Sequence, residues 1–184
     1  MKFNTKTIHG GQEHDKAYGA VMPPIYQTTT YSQTTPGGHK GFEYSRSGNP
    51  TRAALERAFA SIENGEYGLA FGSGIAAIDA VLKLLKPGDE VISTNDLYGG
   101  SYRLFTKIYE DFGIKFHFIG NQASNFINYW QPIMETKPDN CFVWGERNDV
   151  DSFIQACDAH LFSSILELNP LSIKESLEYS KPTM

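Results

Sequence analysis

The chain has 184 residues, 40% of them apolar and 13% aromatic, with a net charge of −5. Such a composition suits a globular protein of one domain or two small ones, and its acidic balance argues against a nucleic-acid binder. No apolar run approaches the roughly 18 residues of a membrane span. Met1 to Gly11 has no apolar signal-peptide core, and Cys141 and Cys157 form no CxxC pair, so a cytoplasmic, reducing compartment is expected.

Residues 1–41 read as an irregular arm, because Pro23, Pro24, the Thr28–Thr30 run and Pro36-Gly37-Gly38 favour extended and turn structure. An arm of this kind buries little of itself and is expected to lie across another surface. Tyr44 and Arg46, two apart, share one face if the backbone is extended. Gly48-Asn49-Pro50 then turns, and Thr51 can cap a helix over residues 52–63 with Leu55, Phe59 and Ile62 on one face. Residues 67–71 (YGLAF) read as a buried strand, Gly72-Ser73-Gly74 as a tight turn, and 75–86 as a helix stopped by Pro87-Gly88. A strand at 89–94, a helix at 99–112 and a strand at 115–119 complete an alternation that specifies a parallel sheet of βαβ units.

Composition changes near Gly120. The first 120 residues are electrically neutral and hold 16 of the 17 glycines, whereas the rest carries the whole net charge and both Trp and both Cys. The helix–strand pattern restarts there: a helix at 126–136, a strand at 141–144, a helix at 149–157 capped by Asp149, a strand at 159–163, and a helix at 170–179 with Pro170 in its first turn. Lys181 to Met184 looks like the lead-in to a further strand. The expected divisions are 1–41, 42–120 and 121–184.

Three motifs carry chemistry. A phenol and a guanidinium projecting together at Tyr44 and Arg46 form a grip for a phosphate. Gly72-Ser73-Gly74 leaves backbone N–H groups at a helix start, where an anion binds and glycine permits close approach. Asp96-Leu97-Tyr98-Gly99-Gly100 follows a strand at the carboxyl side of the sheet, where Tyr98 can stack on a flat ring. Singly, the last two are better met by a ligand-free turn and a buried tyrosine beside a flexible turn.

Taken in order and spacing, FEYSRSGNPT, FGSG and DLYGG, with PPIYQTTTY at 23–31, resemble the cystathionine γ-synthase/γ-lyase family of pyridoxal-phosphate enzymes over residues 5–119. The resemblance implies an α/β chain: an incomplete aminotransferase-like large domain of fold type I, followed by a partial Rossmann-like segment. It implies pyridoxal 5'-phosphate as cofactor, held at its phosphate by Ser73 and the backbone of Gly74 and Ile75. The family usually has methionine where Ile75 stands. Tyr98 would stack on the pyridine ring and help in proton transfer. Tyr44 and Arg46 would reach a neighbouring subunit's phosphate, so a homo-oligomer is implied. The substrate would be a small sulfur amino acid or activated homoserine, undergoing elimination or replacement. The family's Schiff-base lysine, its carboxylate for the pyridine nitrogen and its arginine for the substrate carboxylate have no match in 121–184, where Lys137, Lys174 and Lys181 are the only lysines. The expectation is a truncated or fused chain, inactive by itself.

Residues 145–184 resemble the nucleotide-sugar-binding half of retaining glycosyltransferases with two Rossmann-like domains. That resemblance implies Glu175 on the ribose, Glu167 near the sugar and its phosphates, and Ser172 and Ile173 near the diphosphate. A non-catalytic interaction protein is the third reading. The five histidines show no metal-ligand spacing, so no metal is expected, and Ser73 does not stand in a G-x-S-x-G hydrolase elbow.

Overall fold

The computed structural model describes residues 1–95, 97–121, 124–160 and 171–182. The chain divides into two compact units, Met1–Gly72 and Ser73–Met184.

In the first unit the arm is not wholly irregular, since it opens with helix α1 (Phe3–His9), which packs against α2 (Pro50–Ile62). Asn49, rather than Thr51, caps α2: its side-chain oxygen accepts from the N–H groups of Thr51 (2.8 Å) and Arg52 (3.3 Å). Pro50 takes the first helical position, where its missing N–H costs nothing. The helical period is as expected, but the buried face is not the Leu–Phe–Ile stripe. Ala54 and Ala60 are buried, while Leu55 and Phe59 are 48% and 57% exposed. Two backbone segments press on this helix: a Cβ at Gly11 would lie 2.3 Å from Arg57, and one at Gly68 the same distance from the Glu56 carbonyl. Approach that close favours small side chains on the contacted face.

Residues 67–71 form no strand. They run back along α2, where the Ala70 N–H is met by the Glu56 carboxylate (3.0 Å) instead of a ladder, and Leu69 is left 77% exposed.

The second unit begins with α3 (Gly74–Leu82), followed by β1 (Glu90–Thr94), α4 (Gly99–Lys107), β2 (Lys115–Ile119), α5 (Ile127–Thr136), β3 (Cys141–Gly145), α6 (Val150–Ala156) and α7 (Leu171–Glu178). The three strands form one parallel sheet in the order β1-β2-β3, with Val91 opposite Phe116 and Phe116 opposite Cys141. The parallel α/β architecture is therefore present. Its third strand comes from beyond Gly120 and extends the same sheet.

Alternation along β2 explains the layering. Phe116 and Phe118 point into a core with Leu82, Phe105, Tyr109, Ile114 and Cys141, and the Phe105 ring stacks on Phe116 at 4.7 Å. His117 points the other way, beside Phe142 and Trp144, and accepts a hydrogen bond from the Trp144 indole (3.0 Å). The helix expected to reach residue 112 breaks after Lys107 into a 3-10 turn, Tyr109–Phe112. The buried Tyr109 hydroxyl there donates to Asp79 Oδ1 (2.8 Å) on α3. The α3 helix itself ends at Leu82, well before Pro87.

Asp149 occupies the cap position of α6 without capping it, because its carboxylate is engaged by Arg147 at 2.7 and 2.8 Å. The strand expected at 159–163 lies outside the described residues from 161 onward, as do Pro170 and residues 183–184 of the expected closing strand.

Candidate functional site

The first unit holds the Tyr44–Arg46 pair. Thr30 and Tyr44 form an antiparallel bridge, flanked by hydrogen bonds from Tyr31 N–H to Glu43 O (3.0 Å) and from Ser45 N–H to Thr29 O (2.8 Å). The chain then turns at once, since the N–H groups of Ser47 and Gly48 both donate to the Tyr44 carbonyl at 3.1 and 2.9 Å. The backbone at 44–46 is thus a turn rather than the extended run that would have aligned the two side chains. They meet by another route: the turn folds Arg46 back until its guanidinium lies 4.7 Å from the Tyr44 ring centroid.

Two residues to which the sequence reading gave no such role, Asn49 and Arg52, hold this turn. The two hydrogens of the Asn49 amide are shared among three acceptors, Tyr26 O (3.1 Å), Tyr31 Oη (3.3 Å) and Ser45 Oγ (3.2 Å). The Arg52 guanidinium donates to the carbonyls of Ser45 (3.3 Å) and Ser47 (3.0 Å). The available signal was an asparagine before a proline at a helix start.

The second unit holds the other predicted residues. Ser73 caps α3, its Oγ accepting from the Ala76 N–H at 3.2 Å. The N–H groups of Gly74 and Ile75 fall in the first helical turn, where no intrahelical acceptor exists. A Cβ added at Gly74 would meet nothing within 4 Å, so the space beside this glycine is open. Because α3 runs back toward the beginning of β1, its N-terminus lies on the carboxyl side of the sheet, the side on which open α/β sheets bind ligands.

Tyr98 stands immediately before α4, 72% exposed. A Cβ at Gly100 would lie 2.5 Å from the Tyr98 ring and 3.1 Å from Ile75 Cδ1. The fold therefore brings Tyr98, Gly100 and the Ile75 turn together. Gly100, which the sequence reading treated only as part of a motif, is the clearance between them.

The α3 helix is fastened from behind. The Lys83 ammonium (2.5 Å), and then the Tyr109 phenol, hold the Asp79 carboxyl below the usual carboxylate range. Burial, aided by Asp79, pushes Tyr109 up to about 12.

The donor set fits a phosphorylated planar ring. Helix-start N–H groups and a hydroxyl sit beside a glycine-cleared space, and an exposed aromatic ring stands next to them.

Of the residues expected to bind a nucleotide sugar, Glu167 lies outside the described residues. Ser172 and Ile173 fall in the first turn of α7, and Glu175 is half-buried further along it. Among the described residues no three His, Cys, Asp or Glu side chains are grouped to hold a metal, and no helix is long and apolar enough to cross a membrane.

Comparison with known proteins follows the same lines. The family model described as "Cys/Met metabolism PLP-dependent enzyme" matches residues 4–144. The cystathionine beta-lyase of Coxiella burnetii is 52% identical over 118 residues, covering 64% of this chain and 30% of that protein. A probable cystathionine gamma-synthase of Herpetosiphon aurantiacus is 47% identical over 144 residues, covering 78% of this chain and 44% of that one. The crystal structure of metB from Corynebacterium glutamicum superposes with a TM-score of 0.63 at 31% identity, spanning 100% of this chain and 43% of that one. The chain thus spans about a third to under half the length of its curated relatives. From the helix-start cradle, the ring beside it and a match over residues 4–144, it follows that this chain belongs to the family of Cys/Met metabolism PLP-dependent enzymes.

Proposed function

We propose that these residues form the phosphate- and ring-binding part of a pyridoxal-phosphate site, in a transsulfuration-type enzyme acting by elimination or replacement on cystathionine, activated homoserine or a related sulfur amino acid. The observation that carries the reading is the Tyr98–Gly100–Ile75 cluster at the start of α3. When bound, pyridoxal phosphate supplies an electron sink for a carbanion at the substrate α-carbon.

The chain's own residues do the rest. The N–H groups of Gly74 and Ile75 and the Ser73 hydroxyl receive phosphate oxygens. The positive end of the α3 dipole favours their charge. Tyr98 covers one face of the ring and keeps water from it, and its phenol is placed to hold a proton at its oxygen. Tyr44 and Arg46 grip a phosphate as a pair, in an assembly of subunits if they serve a neighbouring site. A cytoplasmic location accompanies this reading.

The 184 residues by themselves are proposed to bind the cofactor without tethering it. Lys137 donates to the Cys141 carbonyl (2.9 Å), at the amino end of β3 and so on the opposite side of the sheet from Tyr98. Lys181 donates to the Gln155 carbonyl (2.7 Å). The test is titration of the purified chain with pyridoxal phosphate, followed by borohydride reduction and peptide mass mapping. Saturable binding that dialysis removes, competed by inorganic phosphate and leaving no reduced lysine adduct, is expected. A lysine fixed to the cofactor would overturn the untethered reading, and absence of saturable binding would overturn the site.

A further inference from the structure

Six residues after Arg46, in the first turn of α2, stands a second guanidinium, Arg52, and the two have opposite surroundings. Arg46 is exposed and, among the described residues, has no carboxylate partner. Arg52 is fully engaged. Its Nη1 donates to the carbonyl of Ser45 and its Nη2 to that of Ser47, the two residues flanking Arg46, while its Nε faces the Glu56 carboxylate at 3.6 Å. We infer that Arg52 is a positioning residue: it forks across the carbonyls on either side of Arg46 and thereby presents Arg46 to an anion, without touching the anion itself.

The geometry favours this division of labour. A guanidinium offers donors in a fixed planar fork, so two carbonyls bridged by one fork are held at a fixed separation and direction. The turn between them has little choice but to project Arg46 outward over Tyr44. A lysine at position 52 has one ammonium and no plane, and cannot fix both carbonyls in the same way. The charge of Arg52 is also balanced by Glu56, which leaves Arg46 as the positive group aimed at a ligand. Asn49 completes the frame, fixing Ser45 Oγ from the other side while capping the helix that carries Arg52.

The inference rests on the phosphate-gripping reading of Tyr44 and Arg46, and the experiment separates the two. Pyridoxal phosphate is titrated into the full chain and into Arg46→Ala, Arg52→Ala, Arg52→Lys and the Arg46→Ala/Arg52→Ala double variant, each at several salt concentrations. Arg46→Ala is expected to weaken binding about tenfold and to flatten its salt dependence, because a charge contact is lost. Arg52→Ala and Arg52→Lys are expected to weaken it about fivefold with the salt dependence kept, a loss of order rather than of charge contact. The double variant is expected to bind no more weakly than Arg46→Ala alone, since Arg52 acts only through Arg46.

Additive losses, or a flattened salt dependence in Arg52→Ala, would make Arg52 a direct anion ligand and overturn the inference. Wild-type binding by Arg52→Lys would overturn it as well, and that variant keeps the charge and the Glu56 pairing should Arg52→Ala fail to fold. If wild type binds and Arg46→Ala weakens it while the Arg52 variants do not, only the positioning role falls. If wild type itself does not bind, the site reading falls and takes this inference with it.

Discussion

Replacing Gly100 with alanine tests the site where its geometry is most explicit. The added methyl would sit 2.5 Å from Cε1 and 3.0 Å from Cδ1 of the Tyr98 ring, and 3.1 Å from Ile75 Cδ1. Only the ring needs to move far, and it stands in solvent, so it can swing to another rotamer at a cost of about 0.5–1.5 kcal/mol. Alanine in place of a helical glycine returns up to about 1 kcal/mol. These opposed effects leave the stability of Gly100→Ala within about 1 kcal/mol of wild type. Cofactor binding has no such compensation. A displaced ring forfeits the stacking contribution, about 0.5–1.5 kcal/mol, which corresponds to a two- to tenfold weaker Kd. Thermal melting paired with pyridoxal-phosphate titration measures both quantities. An unchanged Kd would refute the placement of Tyr98 over the ligand. A collapse of the melting transition would refute the claim that Tyr98 is free to move.

Other outcomes follow from the core and from ionisation. Phe116→Ala should cost about 3–5 kcal/mol in chemical denaturation, because the ring is wholly buried and loses its stack with Phe105. Asn49→Ala should destabilise the first unit by about 1–2 kcal/mol on loss of the α2 cap, with faster amide exchange at Thr51 and Arg52. Burial pushes the Cys141 thiol from an ordinary 9.0 up to about 11, so alkylation at pH 8 should spare it until the chain is unfolded. Both Cys141 and Tyr109 have raised folded values. Their contribution to stability is complete below about pH 9 and declines as pH rises through 11 and 12, so the second unit should unfold in that alkaline window. Circular dichroism followed against pH checks this, and a second unit still folded above pH 12 would contradict it.

How much of this was legible beforehand depends on the range of the interaction. The parallel βαβ sheet, the α3 helix start at Ser73-Gly74 and the presence of Tyr98 beside it could be read from order and spacing, because apolar periodicity, turn residues and caps act within a few positions of themselves. The pairing of Tyr44 with Arg46 was legible, but its cause was not: an i, i+2 relation suggested extended backbone, whereas two hydrogen bonds to the Tyr44 carbonyl make a turn. Gly100 looked like one glycine of a flexible motif, since nothing local shows that Ile75, twenty-five residues earlier, comes to rest against it.

By itself the amino-acid sequence determined the order of helices and strands from α3 to β2, the residue types suited to phosphate binding, and the family pattern they follow. Only the tertiary structure decided which face of α2 is buried, that residues 67–71 find a helix instead of a ladder, and that a strand beyond Gly120 extends the first sheet. The physical reason is that burial and strand pairing are settled by partners distant in the chain. Close approach of the Gly11 and Gly68 backbones outweighed the Leu55–Phe59 stripe, as no periodicity within a single helix could reveal.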